Sequence, residues 1–345
     1  MELRTLTDGG QPAEDTAHAL AAFLSEAQHT LDIAIYDVRL PDALAAIVRT
    51  ALVGAAERGV AMRLAYNLED DPPMVPVPPP PITDPGLIES LPFPTVAISG
   101  TPDLMHHKYV IRDAKSVWTG STNWTADSWT REENVILTVD SPELAARFGE
   151  DFTQLWTRRK VEKTGRVDQG PFDVAGTSVR AWFCPGRGEQ LAHRIAKAIG
   201  TAERRIRIAS PVISSGPILG TLAQVATDGK VDLAGVVDRT QVHEVIRQWQ
   251  ANGNAPWKEP LLRAALSHAP FSGKHSTPYA PGRVHDYMHA KVTVADDVVF
   301  LGSFNLSHSG EQNAENVLEI ADSALADRLA AFIDGIRARY PGIDV

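Results

Sequence analysis

Two stretches of this chain carry the same polar residues in the same order, and that duplication limits the available folds more than any other feature. Met105–Asn123 reads MHHKYVIRDAKSVWTGSTN, which sets His106, Lys108 and Asp113 as His-x-Lys-x4-Asp and then gives Gly120-Ser121-Thr122-Asn123. Met288–Asn305, MHAKVTVADDVVFLGSFN, repeats the pattern with His289, Lys291, Asp296 and Gly302-Ser303-Phe304-Asn305. Six residues separate aspartate from glycine in the first copy and five in the second, a slip that a turn between strands absorbs. A chain that writes one constellation twice, about half its length apart, is expected to build one site from two copies.

The surrounding pattern is duplicated as well. Apolar positions at helical spacing (Ala17, Leu20, Leu24) predict a helix over about 12–26, and Leu31–Val38 alternates as a strand. Pro41 opens a second helix that Gly59 closes, and Val60–Asn67 reads as the next strand. Thr95–Ser99, His106–Ile111, Ser116–Thr119 and Glu132–Thr138 follow as strands, and Ser141-Pro142-Glu143 starts a helix to about Arg158. Strands at 178–183, 205–210 and 231–237, helices at 189–199 and 218–226, and a final helix near 323–340 retrace that order. The expected division is a first half over 1–160, a linker over 161–176, and a second half over 177–345. Each half carries an insertion before its motif. The first, 68–94, is so rich in proline that polyproline II is its natural state. The second, 239–283, reads as irregular. Strands separated by helices give an α/β class with parallel crossovers.

Composition narrows the class. The chain has 345 residues, enough for two ordinary domains or one pseudo-symmetric one, and a net charge of −10, which argues against a broad cationic surface. With Cys184 as the only cysteine, neither an intrachain disulfide nor a cysteine zinc cluster is open to it. No apolar run has the length of a membrane span, and the first residues show no basic-then-apolar leader, so the expectation is a cytoplasmic protein with no integral membrane segment.

On a strand, residues two apart share a face, so His106 sides with Lys108 and His289 with Lys291. An imidazole beside an ammonium suits attack on a phosphodiester: the ammonium neutralises non-bridging oxygens while the imidazole attacks or donates a proton. Ten residues after each motif asparagine stands a glutamate followed by Asn-Val, at Glu133 and Glu315. A carboxylate on the second ring nitrogen fixes the tautomer, so Glu133 is expected to orient His106, and Glu315 to orient His289. A metal site built on His106, His107 and Asp113 is the rival. Adjacent histidines diverge on a strand and a central lysine opposes a cation, so no metal or cofactor is expected.

These paired motifs resemble those of the phospholipase D superfamily in its two-motif, single-chain form. That resemblance implies two pseudo-twofold-related halves forming an αβαβα sandwich with one shared active site, working through a phosphohistidine without a metal. It implies that His106 and His289 are nucleophile and general acid, in that order. It also implies that Lys108, Lys291, Asn123 and Asn305 hold the phosphate beside Ser121 and Ser303, and that Asp113 and Asp296 are scaffold. The Asn-Trp-Thr that follows the first Gly-Ser pair is most similar to the nuclease branch, so nucleic acid, single strands above all, is the expected substrate. Trp118, Trp124 and Trp129 are candidate stacking faces, and Arg158, Arg159, Lys160, Lys163, Arg166, Lys258, Arg263 and Lys274 a candidate phosphate path. A phospholipid headgroup is the alternative substrate, gripped by the Pro-rich insertion and the region 249–271. A non-catalytic scaffold is the third reading, opposed by the intact histidines and lysines of both motifs. One chain holds both half-sites, so a monomer is sufficient for the active site.

Overall fold

A computed structural model describes residues 1–68, 83, 86–167, 170–253, 255–280 and 283–345. Among them, seven strands form a first sheet in the order Glu2–Leu6, Asn134–Asp140, Ser116–Gly120, Lys108–Arg112, Thr30–Ile35, Ala61–Leu68, Thr95–Ser99. The second sheet repeats that order as Thr177–Phe183, Asn316–Ala321, Val298–Gly302, Val292–Ala295, Arg205–Ala209, Asp232–Asp238, Phe271–Lys274, with Phe172–Val174 added at its outer edge. In each sheet the motif strand pairs antiparallel with the first crossover strand, which pairs parallel with the next.

Five layers follow from which faces are apolar. Helices Ala13–Ser25 and Asp42–Glu57 bury Leu20, Leu24 and Leu52 against Ile33 and Leu64 on the outer face of the first sheet. Helices Gly188–Thr201 and Gly216–Asp228 do the same for the second sheet with Ile195, Leu219 and Leu222. The inner faces of both sheets share one core with the two helices between them. Phe148, Phe152 and Leu155 of Pro142–Arg158 belong to the same cluster as Leu329 and Ile333 of Ser323–Arg337. The result is an αβαβα sandwich. Ser141 caps its helix as its sequence suggests, its hydroxyl accepting from the Leu144 amide.

The one-residue difference between the motifs lies in the hairpin turn. Arg112 pairs with Ser116 across three residues, while Ala295 pairs with Val298 across two. Asp113 and Asp296, both at φ 53°, begin these turns.

Two expectations change. The polyproline II segment expected within 68–94 lies largely outside the described residues. The region 239–283 is not irregular: it holds helices Arg239–Asn252 and Lys258–His268 before the edge strand Phe271–Lys274. Asp238 caps the first of these, its carboxylate accepting from the Gln241 amide, and Gly253 ends it in the left-handed conformation.

Candidate active site

The ends of the two motif strands meet where the halves join, and one cavity of about 590 Å³ is lined by His106, Asn123, His289 and Asn305 together. The glycines of both motifs are there because strands approach closely. A Cβ at Gly120 would sit 2.1 Å from the Val135 carbonyl oxygen, and one at Gly302 2.1 Å from that of Asn316. Lys108 and Lys291 are buried behind the histidines, donating to the His106 carbonyl at 2.8 Å and the His289 carbonyl at 2.6 Å. Asp113 and Asp296 stand apart from the cavity. Each carboxylate accepts three backbone amides, those of Gln28, His29 and Thr30 in one case and Glu203, Arg204 and Arg205 in the other.

The carboxylate partners differ from the expected ones. His106 is oriented from the other half, with Nδ1 2.8 Å from both Glu315 oxygens. His289 Nδ1 lies 3.1 Å from Asn134 Oδ1 and 3.3 Å from Glu132 Oε2. Glu133 touches neither histidine: Lys274 Nζ donates to it at 3.0 Å and the Tyr340 hydroxyl also donates to it.

Strand register explains the displacement. Gly120 pairs with Ile136, but Gly302 pairs with Val317, so after the short helix the halves are one residue out of step with their spelling. The position of Glu315 is therefore taken by Asn134, and that of Asn313 by Glu132. Ser121 confirms it, donating to Asn134 Oδ1 at 2.6 Å as Ser303 donates to Glu315 Oε2 at 2.5 Å. Carboxylate and amide have exchanged places between the halves. The alternation of strand faces was the available clue to Glu132 and Asn134, and the repeated Glu-Asn-Val masked it.

Burial dominates the electrostatics. It pushes the His106 and His289 imidazoles well below their usual value, an effect deepened by Lys108 and Lys291. It lowers Lys108 to about 7 and raises Glu315 to about 8 and Glu132 to about 7. A phosphate arriving among two lysines and two histidines supplies the negative charge that this pocket lacks.

Other residues are reassigned. Trp118, Trp124 and Trp129 are core residues packed with Ile33 and Leu24, so none offers a stacking face. Lys274 is buried in its contacts with Glu133 and Asp8, and Arg263 pairs with Glu259, which removes both from any phosphate path. Arg158, Arg159, Lys160, Lys163 and Arg166 are exposed, but none lines the cavity. Lys258 does line it, its ammonium over the rings of Trp249 and Trp257 at 5.8 and 5.5 Å. Tyr36, whose ring meets His106 edge-on at 4.6 Å, and Tyr279, His285 and Tyr287 complete an aromatic lining not anticipated from sequence.

The chain shares short sequence matches with known proteins. Mitochondrial cardiolipin hydrolase from Danio rerio is 42% identical over 53 residues, and that from Homo sapiens 41% identical over 56 residues. These matches cover 15% and 16% of this chain, and only 23% and 22% of the relatives' own lengths. The structure of phosphatidylserine synthase from Haemophilus influenzae Rd KW20 aligns with 98% of this chain and 86% of its own at a TM-score of 0.63 and 12% identity, a likeness of fold. No helix among the described residues is long and apolar enough to cross a membrane. A family model described as "Cardiolipin synthase, PLD-like domain" matches residues 20–156 and again 195–336, one match over each copy of the motif, so the chain belongs to the phospholipase D superfamily.

Proposed function

We propose that this protein is a phosphodiesterase that cleaves single-stranded nucleic acid through a phosphohistidine formed on His106. The observation that carries the chemistry is the pair of histidines lining one cavity with unequal partners. Glu315, with both oxygens 2.8 Å from His106 Nδ1, holds the Nδ1 proton and leaves the Nε2 lone pair to attack phosphorus. The same carboxylate offsets the positive charge of the phosphorylated ring. Across the cavity, the Asn134 amide nitrogen donates to the Ser128 carbonyl at 3.0 Å, which turns Oδ1 toward His289. The Asn134 amide oxygen at 3.1 Å and the Glu132 carboxylate at 3.3 Å hold a His289 imidazolium less closely than Glu315 holds that of His106, so His289 gives up its Nε2 proton to the departing oxygen. The neutral His289 then takes a proton from water, whose oxygen attacks phosphorus and releases His106. Lys108, Lys291, Asn123 and Asn305 hold the non-bridging oxygens, with Ser121 and Ser303 bracing the groups behind the histidines. The lysine ammoniums supply the positive charge a metal would otherwise bring.

Aromatic rings and cations around the cavity mouth support a single strand, whose unstacked bases accept Trp249, Trp257 and Tyr279 as partners. A cavity of about 590 Å³ encloses a few substrate groups, whereas a duplex keeps its bases stacked inside. A phospholipid headgroup is the second reading. Trp257, 51% exposed beside Lys258, has the character of an interfacial anchor, and the names of the relatives point to cardiolipin.

Purified protein in chelator, offered labelled single-stranded DNA, RNA, duplex DNA and cardiolipin vesicles, separates the two. Cleavage of single strands first is the expected result. Cleavage of lipid alone ends the nuclease reading, and activity abolished by chelator ends the metal-free mechanism.

A further inference from the structure

The duplication is broken at one place in the cavity. Two and four residues before His289 stand Tyr287 and His285; the same steps before His106 reach Leu104 and Pro102. Val38 pairs with Trp124 as Ile213 bridges Leu306, so Asp37 and Arg39 of the first half correspond to Val212 and Ser214 of the second. One side of the cavity is thus built from Arg39, His285 and Tyr287, and the other from Leu104, Val212 and Ser214. Pseudo-symmetry supplies the catalytic groups twice, whereas this wall occurs once.

Its chemistry is fixed by Arg39. That guanidinium grips Asp37 with Nε and Nη2 and places Nη2 2.9 Å from His285 Nδ1. A guanidinium only donates, so Nδ1 accepts and the ring is the neutral tautomer with its proton on Nε2. His285 is buried, its ring stacked on Tyr287 with centroids 5.4 Å apart and flanked by Tyr279 at 5.3 Å. The Tyr287 hydroxyl is buried with no hydrogen-bond partner among the described residues. A donor left unpaired at a cavity wall costs free energy unless a ligand satisfies it. The charge around it selects the ligand. Arg39 is paired with Asp37, and Asp127 and Asp286 accept the His285 and Thr277 amides beside it, so the charge of Arg39 is offset and the wall suits uncharged oxygens better than a second phosphate.

We propose that Arg39, His285 and Tyr287 form a hydrogen-bonding subsite for the uncharged oxygens of one arm of the phosphodiester, the sugar or base of the nucleoside beside the scissile phosphate. This rests on the nucleic-acid reading of the site. The apolar side at Leu104 and Val212 receives the other arm, so the substrate is bound in one direction.

Calorimetric titration of the whole protein with inorganic phosphate, thymidine 3′-monophosphate and thymidine 5′-monophosphate tests the subsite without requiring turnover. At least one nucleotide binds more tightly than phosphate. Tyr287→Phe, which breaks no bond within the protein, reduces that advantage by about three- to tenfold, the size of one hydrogen bond. His285→Ala reduces it further, with a smaller change in phosphate affinity. An advantage that survives both substitutions, or no advantage in the unaltered protein, overturns the subsite. A preserved Tyr287-dependent advantage alongside an oligonucleotide that is never cut overturns the nuclease reading and leaves the subsite standing.

Discussion

At the scale of single residues, the exchange of Glu315 for Asn134 makes two histidines from one duplicated motif chemically unlike. Burial raises the Glu315 carboxyl to about 8, against the lowering influence of Lys108 and its hydrogen bond from Ser303. Below that pH the free His106–Glu315 pair holds one proton too many, and the imidazole has no lone pair to offer at Nε2. The pair must lose a proton to attack, so kcat/KM rises with pH through this region, and the apparent value belongs to the pair. Glu315→Gln cannot hold that proton. Its rising limb moves to lower pH, toward the depressed value of the buried imidazole, while the maximum falls by about 10²–10⁴-fold. A rising limb that stays in place in the pH profile of the variant removes Glu315 from this role. The same residue shows how far sequence reaches. The paired histidines and lysines were legible because they are spelled identically, but the partners depend on strand register across the halves. One extra residue after the helix near Trp129 moved the true partners to Glu132 and Asn134, leaving Glu133 in a buried contact with Lys274.

At the scale of elements, the two motif hairpins are anchored by their aspartates rather than served catalytically by them. Burial alone would raise the Asp296 carboxyl, but backbone donors from Glu203, Arg205 and Arg204 hold it below its ordinary value. A group whose folded value is depressed stabilises the fold above its unfolded value, and that contribution is lost as pH falls through the folded one. Asp296→Ala frees three backbone amides at a cost of about 1.5–3 kcal/mol, which lowers Tm by roughly 2–4 °C at pH 7. The gap begins to close below about pH 4, the value of a carboxylate in the unfolded chain, and goes on closing as pH falls through the depressed folded one. Thermal melts of both proteins from pH 7 to 3 check this, and a gap of constant size contradicts the anchoring role. The elements of the sandwich were readable because core-facing positions impose a period. The helix Arg239–Asn252 was not, because among its apolar residues only Val242 and Ile246 turn fully into the core, while Val245 and Trp249 face the cavity. A helix that spends half its apolar face on a binding site has a weaker period than one that spends it on packing.

At the scale of the whole molecule, each half completes the other. Glu315 of the second half orients His106 of the first, and Glu132 and Asn134 of the first attend His289 of the second. Helices from both halves share the central core, and Lys274 of the second half reaches Glu133 and Asp8 of the first. Among the described residues, the two motifs of a single chain therefore come together at one cavity. The stoichiometry of the intermediate tests this directly. In His289→Ala, attack by His106 on bis(p-nitrophenyl) phosphate needs no acid, because nitrophenolate is a stable leaving group, whereas release of the phosphoryl group by water lacks its base. The phosphoenzyme accumulates, and stopped-flow absorbance shows a burst of one nitrophenolate per chain at every protein concentration. His106→Ala gives no burst. A burst of half an equivalent, or one whose amplitude climbs with protein concentration, means that two chains build the site. A burst retained in His106→Ala and absent in His289→Ala reverses the roles of the two histidines.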